Sequence, residues 1–168
     1  MKRHVWRVAI LVLIAGCAGP DVAFVGADED VTAVSGMQLE VGQEAAFGAS
    51  VLANHGDETV TLISARADGA DIPQSAAEVT RTLVYDHLKY ENGMLGAGLW
   101  PEEEFGSRAV PLEGYELAPG EEVSIMLVVK LKQPGRWTWP TTTVVFATPD
   151  GRRHRTSLDH GVEVEQRD

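Results

Sequence analysis

Glu122-Val123-Ser124-Ile125-Met126-Leu127-Val128-Val129-Lys130-Leu131 is the stretch on which the fold turns. Val123, Ile125, Leu127, Val129 and Leu131 fall on one face and Ser124, Met126, Val128 and Lys130 on the other, a period of two that no helix reproduces. Pro119-Gly120 precedes the run and Pro134-Gly135 follows it. Proline presets φ and glycine accepts positive φ, so both dipeptides read as turns. A strand bounded in this way asks for neighbours on each side. Downstream, Arg136 to Thr148 is rich in Trp, Thr, Val and Phe, and Pro149-Asp150-Gly151 turns the chain into a last stretch, Arg152 to Val164. The expectation is a three-stranded meander, with Pro140 at an edge or bulge because it cannot donate a ladder hydrogen bond.

Upstream, Met37-Gln38-Leu39-Glu40-Val41 alternates apolar and polar. In the stretch from Ala45 to Ala53, Phe47, Ala49 and Val51 share one face; the loop Asn54-His55-Gly56-Asp57-Glu58 then leads to Thr59-Val60-Thr61-Leu62-Ile63-Ser64. Two alternating runs around a short Gly-containing loop read as a β-hairpin. The middle carries two readings. Ser75-Ala76-Ala77-Glu78 has the form of a helix capping box, followed by Val79, Leu83, His87 and Tyr90 at near-helical spacing. Against it, Thr80 to Tyr85 is rich in β-branched and aromatic residues, Val79, Arg81, Leu83 and Tyr85 alternate, and Asn92-Gly93 is a favoured hairpin turn, which favours strands. Short strands at roughly ten-residue spacing with Gly and Pro punctuation indicate an all-β chain: an immunoglobulin-like antiparallel β-sandwich of about 7 to 8 strands. Gly114-Tyr115-Glu116-Leu117-Ala118-Pro119-Gly120-Glu121-Glu122, leading into the long strand, resembles the penultimate strands of immunoglobulin-like domains in bacterial secreted proteins, a similarity that implies a fold and no activity.

The amino terminus has a different character. Lys2, Arg3 and Arg7 precede the apolar run Val8 to Ala15, a positive n-region followed by a short h-region as in a secretory signal peptide. The run is shorter than the ~20 residues a membrane span needs. It ends in Ile14-Ala15-Gly16-Cys17, which resembles the lipobox of bacterial lipoproteins: an aliphatic residue, two small residues and a cysteine. The only cysteine among 168 residues stands at the one position that motif requires. The resemblance implies cleavage before Cys17, a diacylglyceryl thioether on its sulfur, a further acyl chain such as palmitate on its amino group, and residence at the extracytoplasmic face of a cell membrane, the outer one where the organism has two. Two acyl chains make a stable anchor where one gives marginal binding. On this reading residues 1–16 are signal peptide, 17–36 a lipidated acidic tether that includes Asp28-Glu29-Asp30, and 37–168 the domain; the competing reading makes Val22 to Val25 an added edge strand. Nineteen extended residues beyond the cysteine would reach at most about 65 Å.

Charge narrows the partners. The chain has 14 basic and 25 acidic side chains, net −11; without Lys2, Arg3 and Arg7 the count is 11 against 25, net −14. Nucleic acid rewards clustered Lys and Arg and is not an expected partner. One cysteine leaves no disulfide within the chain and no multi-cysteine metal site. No nucleophile elbow, phosphate loop or HExxH pair occurs, and the consecutive carboxylates Glu102-Glu103-Glu104 point in different directions, so no enzymatic activity and no cofactor are expected. The basic run Arg152-Arg153-His154-Arg155 sits at a turn and balances acidic neighbours. Two binding roles stand beside a purely structural one. Trp100, Trp139 and Tyr90, together with Trp137 and Tyr85, are candidates for a surface that meets an envelope protein or a glycan, since aromatic side chains dominate binding hot spots; core packing is the competing role, above all for Trp137 and Trp139, which share strand parity. His87, Met94, His154 and His160, with Met126, are the alternative, an extracytoplasmic copper site built from imidazole and thioether ligands.

Overall fold

The computed structural model describes residues 20–24, 33–68, 72–86, 96–101 and 108–167. Thirteen strands run through them: β1 Val22–Phe24, β2 Ala33–Leu39, β3 Glu44–Asn54, β4 Val60–Asp68, β5 Ala77–Tyr85, β6 Ala97–Trp100, β7 Val110–Pro111, β8 Glu116–Leu117, β9 Glu122–Leu131, β10 Arg136–Trp139, β11 Thr141–Ala147, β12 Arg153–Leu158 and β13 His160–Gln166. One sheet has the order β1-β3-β9-β5-β7, with β6 beside β3 on the edge it shares with β1. The opposing layer is made of β12-β11-β4-β8 and β10-β13-β2. β10 runs into β11 across Pro140, and β12 into β13 across Asp159, so these two sets form one layer built around a single long hairpin. Taken in order, the first sheet is the A-B-E-D sheet of an immunoglobulin-like sandwich and the second its C-F-G sheet. Eight strands of six to eleven residues, β2, β3, β4, β5, β9, β11, β12 and β13, carry the fold, and β1, β6, β7, β8 and β10 are short, with two to four residues each.

The deciding stretch is β9, at the centre of the first sheet between β3 and β5. Its Val123, Ile125, Leu127, Val129 and Leu131 are all at most 2% exposed and face Val60, Leu62, Val144, Phe146, Val162 and Val164 across the sandwich. Each such side chain contributes about 1.5–3 kcal/mol on burial, so this strand is the axis of the core. Ala77–Tyr85 is strand, as the β-branched residues favour, and Ser75 lies in the turn before it rather than at a helix start.

Several expectations are corrected. β3 and β4 are not a hairpin: they lie in opposite sheets, and loop 55–59 carries the chain from one layer to the other. An arch and a hairpin share the same alternation, because both turn the apolar face inward. For the same reason β9 is no member of a meander with β10–β13; Pro134-Gly135 is a second arch, and only the last two segments pair. Parity shifts at bulges. An extra residue between Phe47 and Ser50 places Leu52, not Val51, with Phe47 in the core, and another between Val79 and Arg81 sends Arg81, Leu83 and Tyr85 to the outer face. Val41 is an exposed turn residue; the strand before it begins at Ala33 and pairs in parallel with β13, so the sandwich is not antiparallel throughout.

Part of the stretch read as a tether is strand. Val22–Phe24 is paired with Leu52–Asn54, and Val22 and Phe24 are buried in the core, so the stretch 17–36 is not one free leader. Two side chains sealed against β3, together with the ladder hydrogen bonds, offset the ordering of this short strand, as the competing edge-strand reading expects.

Pro140 stands where β10 passes into β11, as its missing donor requires. Opposite it, Gly161 lets the two strands of the long hairpin meet: a Cβ there would lie 2.2 Å from the Trp139 carbonyl oxygen.

Candidate partner surface

The outer face of the first sheet holds a second apolar cluster. Ala46, Tyr85, Met126 and Val128 are all at most 2% exposed, and Leu83, Trp100 and Ala109 pack on them. Such a face is ordinarily polar. The chain leaves β5 at one side of the sheet, re-enters beside β3 as β6, and returns to the β5 side as β7. Trp100 is the last residue of β6, directly opposite Glu44, and so shares that outer face with the cluster.

Across the sheet from Trp100 runs a row of charged side chains: Glu44 on β3, Lys130 on β9 and Glu78 on β5. Arg81 reaches over to Glu44 with an N···O distance of 2.8 Å, and Lys132 to Glu78 at 2.7 Å. With both carboxylates claimed from outside the row, the Lys130 ammonium has no ion-pair partner among the described residues. Trp100, Leu99, Gln43, Glu44, Arg81 and Lys130 line a shallow concavity of about 470 Å³. One side of the indole rests on the apolar cluster and the ring borders the hollow; Leu99 is half exposed at its rim. Among the described residues, Arg81, Lys130 and Lys132 stand here against Glu44 and Glu78, one cation in excess; Glu102-Glu103-Glu104, just past Trp100 in the chain, lie outside them.

A second hollow of about 460 Å³ lies between β4 and β5, with Ile72, Ala65, Ala67 and Val79 on its walls. Trp139 borders it but is 6% exposed and belongs to the core, as does the partly buried Trp137 beside it. Of the three aromatic residues expected at a partner surface, Trp100 alone is found there among the described residues. Trp139 is removed to the interior by its strand parity with Val162, and Tyr90 lies outside the described residues. The cluster beneath Trp100 had a signal: Met126 and Val128 on the supposedly polar face of β9.

The imidazoles are not brought together. His154 stacks on Phe146 with ring centroids 5.5 Å apart, while His160 meets the Ser35 hydroxyl at 3.1 Å six residues further along the same ribbon. Met126 lies in the opposite sheet. Burial holds the His160 pKa below the usual histidine value. No group of three or more His, Cys, Asp or Glu residues suited to a metal occurs among the described residues, and His87 and Met94 lie outside them. Ile14, Ala15, Gly16, Cys17 and Glu102-Glu103-Glu104 are likewise outside the described residues.

At the far end of β3 from Trp100, the amino-terminal side of the fold is knit together by Asn54. Its amide donates to the Leu117 and Glu58 carbonyls, each at 2.9 Å, and its Oδ1 accepts from Gly56 N at 3.1 Å. The His55 N–H donates to the Asp21 carbonyl at 2.7 Å, which joins the start of the described chain to this end. Glu44 and Asn54 are ten residues apart on one strand, so the concavity and Val22 are separated by about 30 Å.

No protein-family model matches the chain, and no curated protein matches it. Among solved structures, the VesB protease of Vibrio cholerae is similar over 88% of this chain and 32% of its own, with 10% identity and a TM-score of 0.39. The chain therefore spans about a third of that protein's length. The ASH/PapD-like domain of human CEP192, PapD-like domain 7, is similar over 99% of both chains, with 8% identity and a TM-score of 0.45. Both likenesses concern the fold, which the strand order by itself identifies as an immunoglobulin-like β-sandwich.

Proposed function

We propose that this protein is a lipid-anchored, extracytoplasmic, non-catalytic binding module of the cell envelope, held to a membrane through Cys17 and meeting its partner at the Trp100 concavity. The observation that carries the reading is the position of the chain's only cysteine, directly after Ile14-Ala15-Gly16 and the apolar run that follows Lys2, Arg3 and Arg7. The fold is consistent with such a role. Between Cys17 and Asp21, whose carbonyl is already bonded to the sandwich, are four residue steps, at most about 14 Å of chain. The domain is thus held close to the bilayer by its Asn54 end, and the concavity faces outward about 30 Å beyond. A net charge near −14 adds no attraction to anionic lipid, so the acyl chains supply the attachment.

The test is metabolic labelling with a palmitate analogue, followed by membrane fractionation. Wild-type protein takes up label and sediments with membranes; Cys17→Ser takes up none and accumulates as uncleaved precursor. Labelling of Cys17→Ser, or wild-type protein that is cleaved yet bears no lipid, would refute the anchor.

A further inference from the structure

We infer that the Trp100 concavity binds a saccharide bearing a carboxylate, of the uronic acid class, with one face of the sugar ring on the indole and the carboxylate at Lys130. The inference rests on the reading of this concavity as the partner surface and names its ligand. A pyranose has an apolar face of C–H groups and a belt of hydroxyls, so it needs one flat apolar platform amid polar side chains. The concavity has that composition: Trp100 is its aromatic wall, and Gln43, Glu44, Arg81 and Lys130 supply donors and acceptors around it. A pocket for an apolar ligand would be lined mostly by aliphatic and aromatic groups, and this one is not. The indole is braced from behind by the cluster containing Ala46 and Val128, so little ordering remains to be done on binding.

The charge pattern selects the anionic sugar. Arg81 is engaged by Glu44 and Lys132 by Glu78, which leaves Lys130 as the ammonium of this row without a carboxylate partner among the described residues. It sits in the row that begins at Trp100, with only Glu44 between them. Two strand spacings of about 4.8 Å separate β6 from β9, which matches the span of one or two pyranose rings.

The experiment uses the full chain in detergent micelles and two probes that differ only in oxidation at C6, α-1,4-digalacturonate and α-1,4-galactobiose. Ligand-observed saturation-transfer NMR reports contact with the protein, and titration gives the affinities. The expected result is binding of digalacturonate at least tenfold tighter than galactobiose, loss of both on Trp100→Ala, and a ratio near one on Lys130→Gln, with Lys130→Arg retaining the preference. Circular dichroism and an unchanged unfolding midpoint establish that each variant is folded; should Trp100→Ala not be, Trp100→Phe serves, with weaker binding expected. Equal affinities, indifference to the Trp100 change, or no binding of either probe up to about 10 mM overturns the inference. If neither probe binds while photocrosslinking from position 99 in cells captures an envelope protein, the surface stands and the saccharide falls.

Discussion

Phe24→Ala separates a tether from a strand. Phe24 is 3% exposed, opposite Leu52 in the register of β1 on β3, and part of the main core. In a solvated leader the substitution would change stability by less than about 0.5 kcal/mol. Truncating a buried Phe inside an immobile core costs about 3–5 kcal/mol. Here a ceiling applies, because β1 is three residues long at a sheet edge and can let go. Burial of Val22 and Phe24 contributes about 3–6 kcal/mol, and fixing the five residues 20–24 costs about 1 kcal/mol each, so the docked strand is held by only a few kcal/mol once its hydrogen bonds are included. The expected loss is therefore about 2–3 kcal/mol, and Val22→Ala added to it brings little more. Urea unfolding of the chain from residue 18 onward, followed by tryptophan fluorescence, gives the midpoint and slope. A released strand also lowers the slope, since less surface remains to be exposed. A change below 0.5 kcal/mol, or full additivity of the two substitutions, would refute the reasoning.

Gly161→Ala sets a Cβ 2.2 Å from the Trp139 oxygen and 2.7 Å from Pro140 Cα, both backbone, and costs about 3 kcal/mol or more in urea midpoint. Gly36→Ala on the neighbouring strand, whose nearest atom is the Glu163 carboxylate oxygen at 3.6 Å, is the control and changes little. Asn54→Ala removes two donors from the Leu117 and Glu58 carbonyls at a cost of about 2–3 kcal/mol, and hydrogen exchange of Gly56 and Gly120 rises with it. Acid destabilises the fold in two steps. Burial lowers the His160 pKa, so the unfolded chain binds more protons, and stability falls as pH drops through the unperturbed value near 6.5 toward the folded one. The Arg136 hydrogen bond lowers that of Glu163, whose contribution is present above about pH 4.5 and lost as pH falls through its folded value. His160→Gln flattens the melting temperature between pH 7.5 and 5.5 and leaves the lower step; an unchanged slope in the upper window would count against the assignment.

β9 could be read from sequence because both determinants were local: strict alternation and a Pro-Gly pair at each end. Pro140 was legible for a similar reason, since a missing N–H restricts it wherever the strand runs. What could not be read was which sheet each strand joins. Alternation fixes a strand's inward face but not its neighbour, so β3 and β4 suggested a hairpin where the fold has an arch. The bulge at Thr80 reverses parity without any residue type that announces it, whereas Gly48, a glycine inside a strand pattern, marks the one in β3. An edge strand at Val22 to Val25 was legible as an alternative to the tether, but so short a run among acidic residues did not decide between them. At the candidate surface, Trp100 was found by residue type, whereas Lys130 was not, because its lack of a partner depends on Arg81 and Lys132 reaching the two carboxylates beside it.

The three-residue strand β1 also has a mechanical meaning. In a chain held at Cys17 and loaded through the outer end of the sandwich, force enters the fold at Asp21 and runs first through the pairs Val22 with Asn54 and Phe24 with Leu52. These are the weakest links in line, and their rupture leaves β2, β3 and the core in place. The fully extended contour from Cys17 to Asp21 is about 14 Å, and that to Ala33, where the next described strand starts, is at most about 56 Å. Under the proposed anchoring, a strand of this kind would be a fuse in series with Cys17, parting before the core of the sandwich does.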